Sequence, residues 1–329
     1  MTREASRAAR VRLAAVPPTR LASALIVLAA VSAAAPAPPP APTAIPHAKT
    51  KLALTFDDLP VHGPLPPGTT RADVARSIVA TLRSAKAPPT YGFLNAKGIR
   101  DAPETAEFLE IWHAAGHPLG NHTFSHMDLH TNSVEAFEQD ALADEPALQA
   151  AMGTSDWHWF RYPYLREGET TSKRHAIAGF LKDHGYRVAE VTMSFDDYAY
   201  NEPYTRCLAR NDSAGLDWLK ESYASRAAAA LSRGREEAQR LYGHDIGHVM
   251  LLHVGAFQRV MLPKLMALLE QRGFALVTLA EAQADPAYSD GDVATTGGAT
   301  LLERTRTARG MPPLAGTDDI FARLSALCR

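Results

Sequence analysis

The sequence predicts an α/β protein built on a parallel sheet, either closed into a barrel or doubly wound. Three observations lead there. Seven short strand-like segments alternate with helix-like segments from residue 51 onward, which is how parallel sheets are connected. The chain has 329 residues, enough for one large domain with extensions. The chemically unusual side chains fall at the carboxyl ends of the strand-like segments, where parallel α/β folds place their sites.

The elements follow in order. LALTF (52–56) is the first strand and ends at two aspartates. RADVARSIVATLRSA (71–85) sets Val74, Ile78, Val79 and Leu82 on one helical face. TYGFLNA (90–96) is the second strand, and APETAEFLEIWHAAG (102–116) a helix with Pro103 near its start and Gly116 at its end. HPLGN (117–121) is the third strand. A helix over 134–152 precedes the fourth, WHWFRYP (157–163). Helix 172–184 stops at Gly185 before YRVAEVT (186–192). An Ala- and Arg-rich helix covers about 213–241, then HVMLLHV (248–254) is the sixth strand. PKLMALLEQRG (263–273) is a helix and FALVTL (274–279) the seventh strand. No internal repeat is visible.

The two ends differ from this domain, which spans 48–285. Arg3, Arg7, Arg10, Arg12 and Arg20 lead into the apolar run Leu21–Ala35, closed by small residues. That order describes a secretory signal peptide over 1–35. The run is shorter than the ~20 residues a spanning helix needs. Membrane contact is expected only if the segment stays uncleaved. Residues 36–47 form a Pro/Ala-rich linker. Residues 286–329 form a C-terminal extension, within which TDDIFARLSAL (317–327) reads as a short helix capped by Thr317, with Asp318 and Asp319 in its first turn. Cys207 and Cys328 are the two cysteines. They are too few for a disulfide scaffold or zinc cluster, and either pair in an oxidising compartment or stay separate thiols. Lys and Arg total 34 against 36 Asp and Glu, so no broad basic surface invites nucleic acid.

The chemistry sits in five places. Asp57-Asp58 ends strand one, and adjacent carboxylates repel unless a cation or arginine neutralises them. The bland alternative is an Asp-rich turn. His122 and His126 follow strand three at i and i+4, a spacing that puts two ligands on one helical turn. Chance is the rival reading for a chain with 13 histidines. A strand-end carboxylate completes a His/His/carboxylate set with positions left open for water. His130 extends the spacing and is read as a bystander. Arg161 closes strand four and can pair with the strand-one carboxylate that binds no metal. Asp196 and Asp197 follow strand five, and His253 ends strand six. His253 becomes a proton donor only beside a carboxylate.

TFDD (55–58), HTFSH (122–126), RYPY (161–164), SFDDY (194–198) and LLH (251–253) together resemble the motifs of the polysaccharide deacetylase (NodB homology) family, carbohydrate esterase family four. The resemblance covers roughly residues 50–280, with the motifs in the family's order. It implies a distorted (β/α)7 barrel and a hydrolase that removes N-acetyl groups from a carbohydrate through a metal-activated water. By the same resemblance Asp57 is the general base. Asp58, His122 and His126 hold one divalent ion, usually zinc. Arg161 orients Asp57, the Tyr164 N–H helps hold the oxyanion, and His253 is the general acid with Asp197 as its partner. The family often has Trp after that aspartate and this chain has Tyr198, so Asp196 competes for the role. An exported protein acting on peptidoglycan, a chitin-like oligomer or an exopolysaccharide is expected, periplasmic or secreted. An O-acetyl esterase on the same site and a non-catalytic carbohydrate binder on the same fold are the alternatives.

Overall fold

The structure is a computed structural model that describes residues 14–15, 49–314 and 319–329. The chain divides into two units, Met1–His47 and Ala48–Arg329, and everything below concerns the second. The expected signal peptide and linker lie outside the described residues, Ala14 and Ala15 apart, as do Thr317 and Asp318.

Among the described residues, seven strands form one wholly parallel sheet: β1 (Thr50–Leu59), β2 (Tyr91–Leu94), β3 (Leu119–Asn121), β4 (Trp159–Phe160), β5 (Arg187–Val188), β6 (His248–His253) and β7 (Phe274–Leu276). The order is β5-β4-β3-β2-β1-β6, with β7 also paired to β1. β1 is therefore the centre. It is a buried apolar run with Leu52, Leu54 and Phe56 in the core, as expected of a parallel strand covered on both faces. The sheet curls until the segment after β5 meets β6. There Met193 bridges Met250, donating its N–H to Val249 O and accepting from the Leu251 N–H, both at 3.0 Å. The fold is thus a distorted (β/α)7 barrel, closed at one seam by a single bridge. β4 and β5 are much shorter than the expected 157–163 and 186–192. The chain leaves the ladder after Phe160 to place Arg161, and beyond Val188 it crosses towards β6.

The helices lie in the connections. α1 (Arg71–Ser84) starts at a capping box between Thr70 and Asp73. α2 (Lys97–Asp101) comes before the helix expected over 102–116, which is present as a 3₁₀ turn at Pro103–Thr105 running directly into α3 (Ala106–Ala114). α4 (Val134–Met152) and α5 (Thr171–Asp183) follow. α6 (Asn201–Ala209) has no counterpart in the expected elements and leads into α7 (Ser213–Tyr242). α8 (Ala256–Gln271) begins well before Pro263. Its first turns bury Phe257, Met261 and Leu262, and that packing overrides the proline's preference for a helix start. α9 (Leu279–Ala282) closes the alternation.

The C-terminal extension is part of the folded body. α10 (Leu301–Ala308) inserts two buried arginines. Arg304 Nη1 and Nη2 lie 2.5 Å from Glu167 and Glu190, and Arg306 lies 2.5 Å from Glu237. α11 (Phe321–Ala326) begins later than the sequence suggests, with Asp319 accepting the Phe321 N–H at 2.9 Å. Ile320 and Leu324 are buried as expected. A disulfide joins Cys207 of α6 to Cys328, with Cα atoms 5.0 Å apart.

Candidate metal centre and active site

Two neighbouring residues of a strand normally face opposite sides of the sheet. Asp57 and Asp58 would then diverge. They do not, because the β1–β2 register shifts between Phe56 and Leu59, and Asp58 has φ 63°. This bulge turns both carboxylates into the barrel mouth, a common device beside active sites. Asp57 also lies opposite His253 across the β1–β6 ladder, so strand pairing alone brings these two motifs together.

His122 and His126 do not share a helical turn. The chain leaves β3 at Asn121 and makes a turn in which Thr123 (φ 62°) and His126 (φ 58°) are left-handed. Asn121 accepts the Thr123 N–H at 2.8 Å, and Thr123 Oγ1 accepts the Met127 N–H at 2.9 Å. Those bonds hold a conformation costing roughly 1–3 kcal/mol per left-handed residue. The expected ligands still converge. Asp58 Oδ1 is 3.7 Å from His122 Nε2 and 3.4 Å from His126 Nε2. The ligand atoms of the three residues lie within 4.8 Å of one another. His130 stays apart, its Nε2 accepting the Gly168 N–H at 3.2 Å.

The donor set suits a divalent cation. Asp58 Oδ1 is buried and has no hydrogen-bond partner, a costly state unless something positive sits beside it. His122 Nδ1 lies 2.7 Å from Arg161 O, so it carries the proton and Nε2 presents its lone pair to the same point. Burial pushes both histidines down to about 4, keeping them neutral as ligands must be. Burial alone would raise Asp58. The hydrogen bond from His62, with the charge of nearby histidines, instead holds it far below the carboxylate range.

Asp57 is fully buried, and burial pushes its carboxyl up to about 6 against the opposing Arg161 charge. Arg161 Nη1 reaches its two oxygens at 3.1 and 3.2 Å. The guanidinium is fixed by Ala189 O at 2.6 Å and Thr55 Oγ1 at 3.1 Å, and stacks on Phe93 at 4.7 Å. On the far side, His253 Nδ1 lies 2.8 Å from Asp197 Oδ1. Asp197 is therefore the partner, and Asp196 turns away to pair with Arg226 at 2.8 Å. Burial would lower His253, yet Asp197 overrides it and raises the imidazole to about 9.

One residue here escaped the sequence reading. His62 follows β1 in a Pro/Gly loop, and its Nδ1 lies 2.8 Å from Asp58 Oδ2. Its ring packs on His253 at 5.0 Å. No periodicity or motif marks it out.

Asp57, Asp58, His62, His122, His126 and His253 line one pocket of about 710 Å³, while Arg161 and Asp197 lie behind them. Tyr164 lines it at φ 59°, with its side chain exposed and its ring edge-on to His126 at 4.4 Å. The C-terminal extension supplies another wall through Gly298, Thr300 and Leu314. Gly298 packs so closely that a Cβ there would meet Tyr164 O at 2.0 Å.

Residues 44–189 match the sequence profile of the polysaccharide deacetylase family. Among solved structures, the chain is similar to the chitin deacetylase of the fungal pathogen Colletotrichum lindemuthianum, at 22% identity and TM-score 0.50, covering 72% of this chain and 88% of that one. It is also similar to the polysaccharide deacetylase Bc1974 of Bacillus cereus (18%, TM-score 0.49, 70% and 92%). A CE4 family pseudoenzyme of Bacillus anthracis matches at 16% and TM-score 0.47, over 71% and 65%. The first of these likenesses shows the fold.

Proposed function

We propose that this chain, which belongs to the polysaccharide deacetylase family, is an exported, metal-dependent hydrolase that removes N-acetyl groups from a carbohydrate. The observation that carries the reading is a buried carboxylate held by an arginine and an imidazole held by a carboxylate, both in the pocket of one triad that could bind a cation. Asp57, held by Arg161, and His253, held by Asp197, line the same pocket as Asp58, His122 and His126.

Asp58, His122 and His126 would hold the cation. A divalent ion bound there, most simply zinc, supplies Lewis acidity to the acetyl carbonyl and the attacking water. The remaining work falls to the protein. Asp57 takes the proton of the attacking water, and its pairing with Arg161 fixes both oxygens towards that task. The backbone N–H of Tyr164 faces the carbonyl oxygen as negative charge develops. The amide nitrogen leaves poorly unless protonated, and His253 delivers that proton from Nε2 because Nδ1 is engaged by Asp197. Asp57 gains one proton and His253 gives one up, so water and the amide become acetic acid, which then ionises, and a free amine; return of the proton from Asp57 to His253 restores both groups.

Export is supported by the basic start, the apolar run Leu21–Ala35 and the Cys207–Cys328 bond. The substrate is an acetylated glycan such as peptidoglycan, a chitin-like oligomer or an exopolysaccharide. Acetate release from a panel of N-acetylated and O-acetylated glycans tests the reading. Release from an N-acetylated member is expected. Release from esters alone would make the chain an O-acetyl esterase, and binding without release a carbohydrate binder.

A further inference from the structure

We propose that His62 is the positioning residue of the metal ligand Asp58, occupying Oδ2 so that Oδ1 alone remains for the cation. This inference rests on the metal-centre reading above and adds a residue to it.

The two oxygens of Asp58 have different surroundings. Oδ1 is buried without a hydrogen bond and faces Nε2 of both His122 and His126. Oδ2 lies 2.8 Å from His62 Nδ1. An ionised carboxylate only accepts, so Nδ1 carries the proton and donates it. A charge-assisted bond of this kind is about twice as strong as a neutral one. It fixes the carboxylate's rotation, which the left-handed bulge alone does not.

The loop that carries His62 is itself anchored. Arg71 donates to His62 O at 3.0 Å and to Gly63 O at 2.5 Å. Asn201 Nδ2 donates to Pro64 O at 2.8 Å. Gly63 is left-handed at φ +59°, and a Cβ there would meet Asn201 Nδ2 at 2.5 Å, so only glycine lets the loop approach α6 this closely. The other ring nitrogen, Nε2, lies 3.3 Å from Tyr198 O, in the turn that also carries Asp197. The imidazole is thus held to Asp58 through Nδ1, with its other edge packed against this turn and its face in van der Waals reach of the His253 ring. Metal-bound histidines are usually backed by a carboxylate, and losing that outer partner typically costs about 10–100-fold in metal affinity. Here the roles are exchanged, with a histidine backing the carboxylate.

The test is zinc affinity, read by competition with a chromogenic chelator on the full chain, for the native protein, His62→Ala and His62→Gln. Visible absorption of the cobalt(II) forms reports ligand geometry, and thermal unfolding of the metal-free proteins controls for folding. His62→Ala is expected to bind zinc about 10–100-fold more weakly and to change the cobalt bands, while the metal-free unfolding temperature stays near native. His62→Gln keeps an N–H donor and is expected to recover most of the affinity. If the alanine variant does not fold, His62→Leu, which keeps volume without a donor, is read in its place. Native zinc affinity in the donor-free variant overturns the proposal while leaving the metal centre intact. A native protein that takes up no zinc overturns the metal-centre reading itself.

Discussion

Both oxygens of Asp197 engage one residue: Oδ1 lies 2.8 Å from His253 Nδ1, and Oδ2 accepts the His253 backbone N–H at 2.8 Å. The carboxylate therefore fixes the ring's tautomer, its orientation and its charge together. Burial pulls the imidazole down, Asp197 pulls it up, and the balance lies at about 9. Because the value is raised, the proton is present at neutral pH and is lost as pH rises through about 9. Turnover of an N-acetylated glycan should fall over that window. In Asp197→Asn the alkaline limb should move down towards the ordinary histidine value of ~6.5. A kcat–pH profile measures this, and an unmoved limb would contradict the assignment. His253 should also contribute to folding stability below its unfolded value, a contribution that disappears as pH passes about 9.

Arg161 should act on turnover more than on metal uptake. It touches Asp57 and none of the metal ligands with its side chain, although its carbonyl holds His122. In Arg161→Met that carbonyl remains, and Asp57 stays buried without its counter-charge. Stability should drop by ~3–5 kcal/mol, as when a buried pair is broken from one side. Turnover should fall by about 100-fold or more. Metal content measured beside kcat separates the two effects. Native turnover would show that Asp57 needs no partner.

Gly298 should matter to catalysis from outside the five motifs. A methyl group there cannot coexist with Tyr164 O at 2.0 Å, so Gly298→Ala must displace the Tyr164 loop. A displacement near 1 Å at a reacting centre costs about 100-fold. Lower kcat with unchanged zinc content is expected. An unaffected kcat would mean that the Tyr164 backbone takes no part in stabilising the oxyanion.

The tail's buried charges give a stability prediction. Arg304 is 1% exposed and lies between Glu167 and Glu190. Arg304→Met leaves Glu190 without its counter-charge and Glu167 with Arg174 alone, and unfolding in urea should show a loss of ~3–5 kcal/mol. Replacing Cys207 and Cys328 together with Ser should cost up to ~4–5 kcal/mol in the chain-entropy model. Thiol titration of unreduced protein should find neither cysteine free.

The parallel sheet was legible because parallel strands are buried on both faces, so each is a compact apolar run with its charges at the end, while its closure into a barrel was implied only by the family resemblance. The five motifs could be read for the same reason. What escaped the sequence depends on backbone geometry and on contacts distant in the chain. The i, i+4 spacing of His122 and His126 suggested a helical turn, but left-handed Thr123 and His126 make a different turn with the same convergence. The bulge that lets Asp57 and Asp58 face one way has no marker in TFDD. Asp196 and Asp197 could not be separated until Arg226 of α7 was seen to take the first. His62 meets Asp58 only because Arg71 and Asn201 fold its loop back. The extension reads as a loop and a short helix, whereas its two buried arginines reveal their purpose only beside Glu167, Glu190 and Glu237.

The most direct test of the whole account is acetate release from an N-acetylated oligosaccharide by protein stripped of metal and then resupplied with zinc. The account predicts that stripping abolishes release and that about one equivalent of zinc restores it, as a site of one carboxylate and two histidines requires. Undiminished release by fully stripped protein would contradict it.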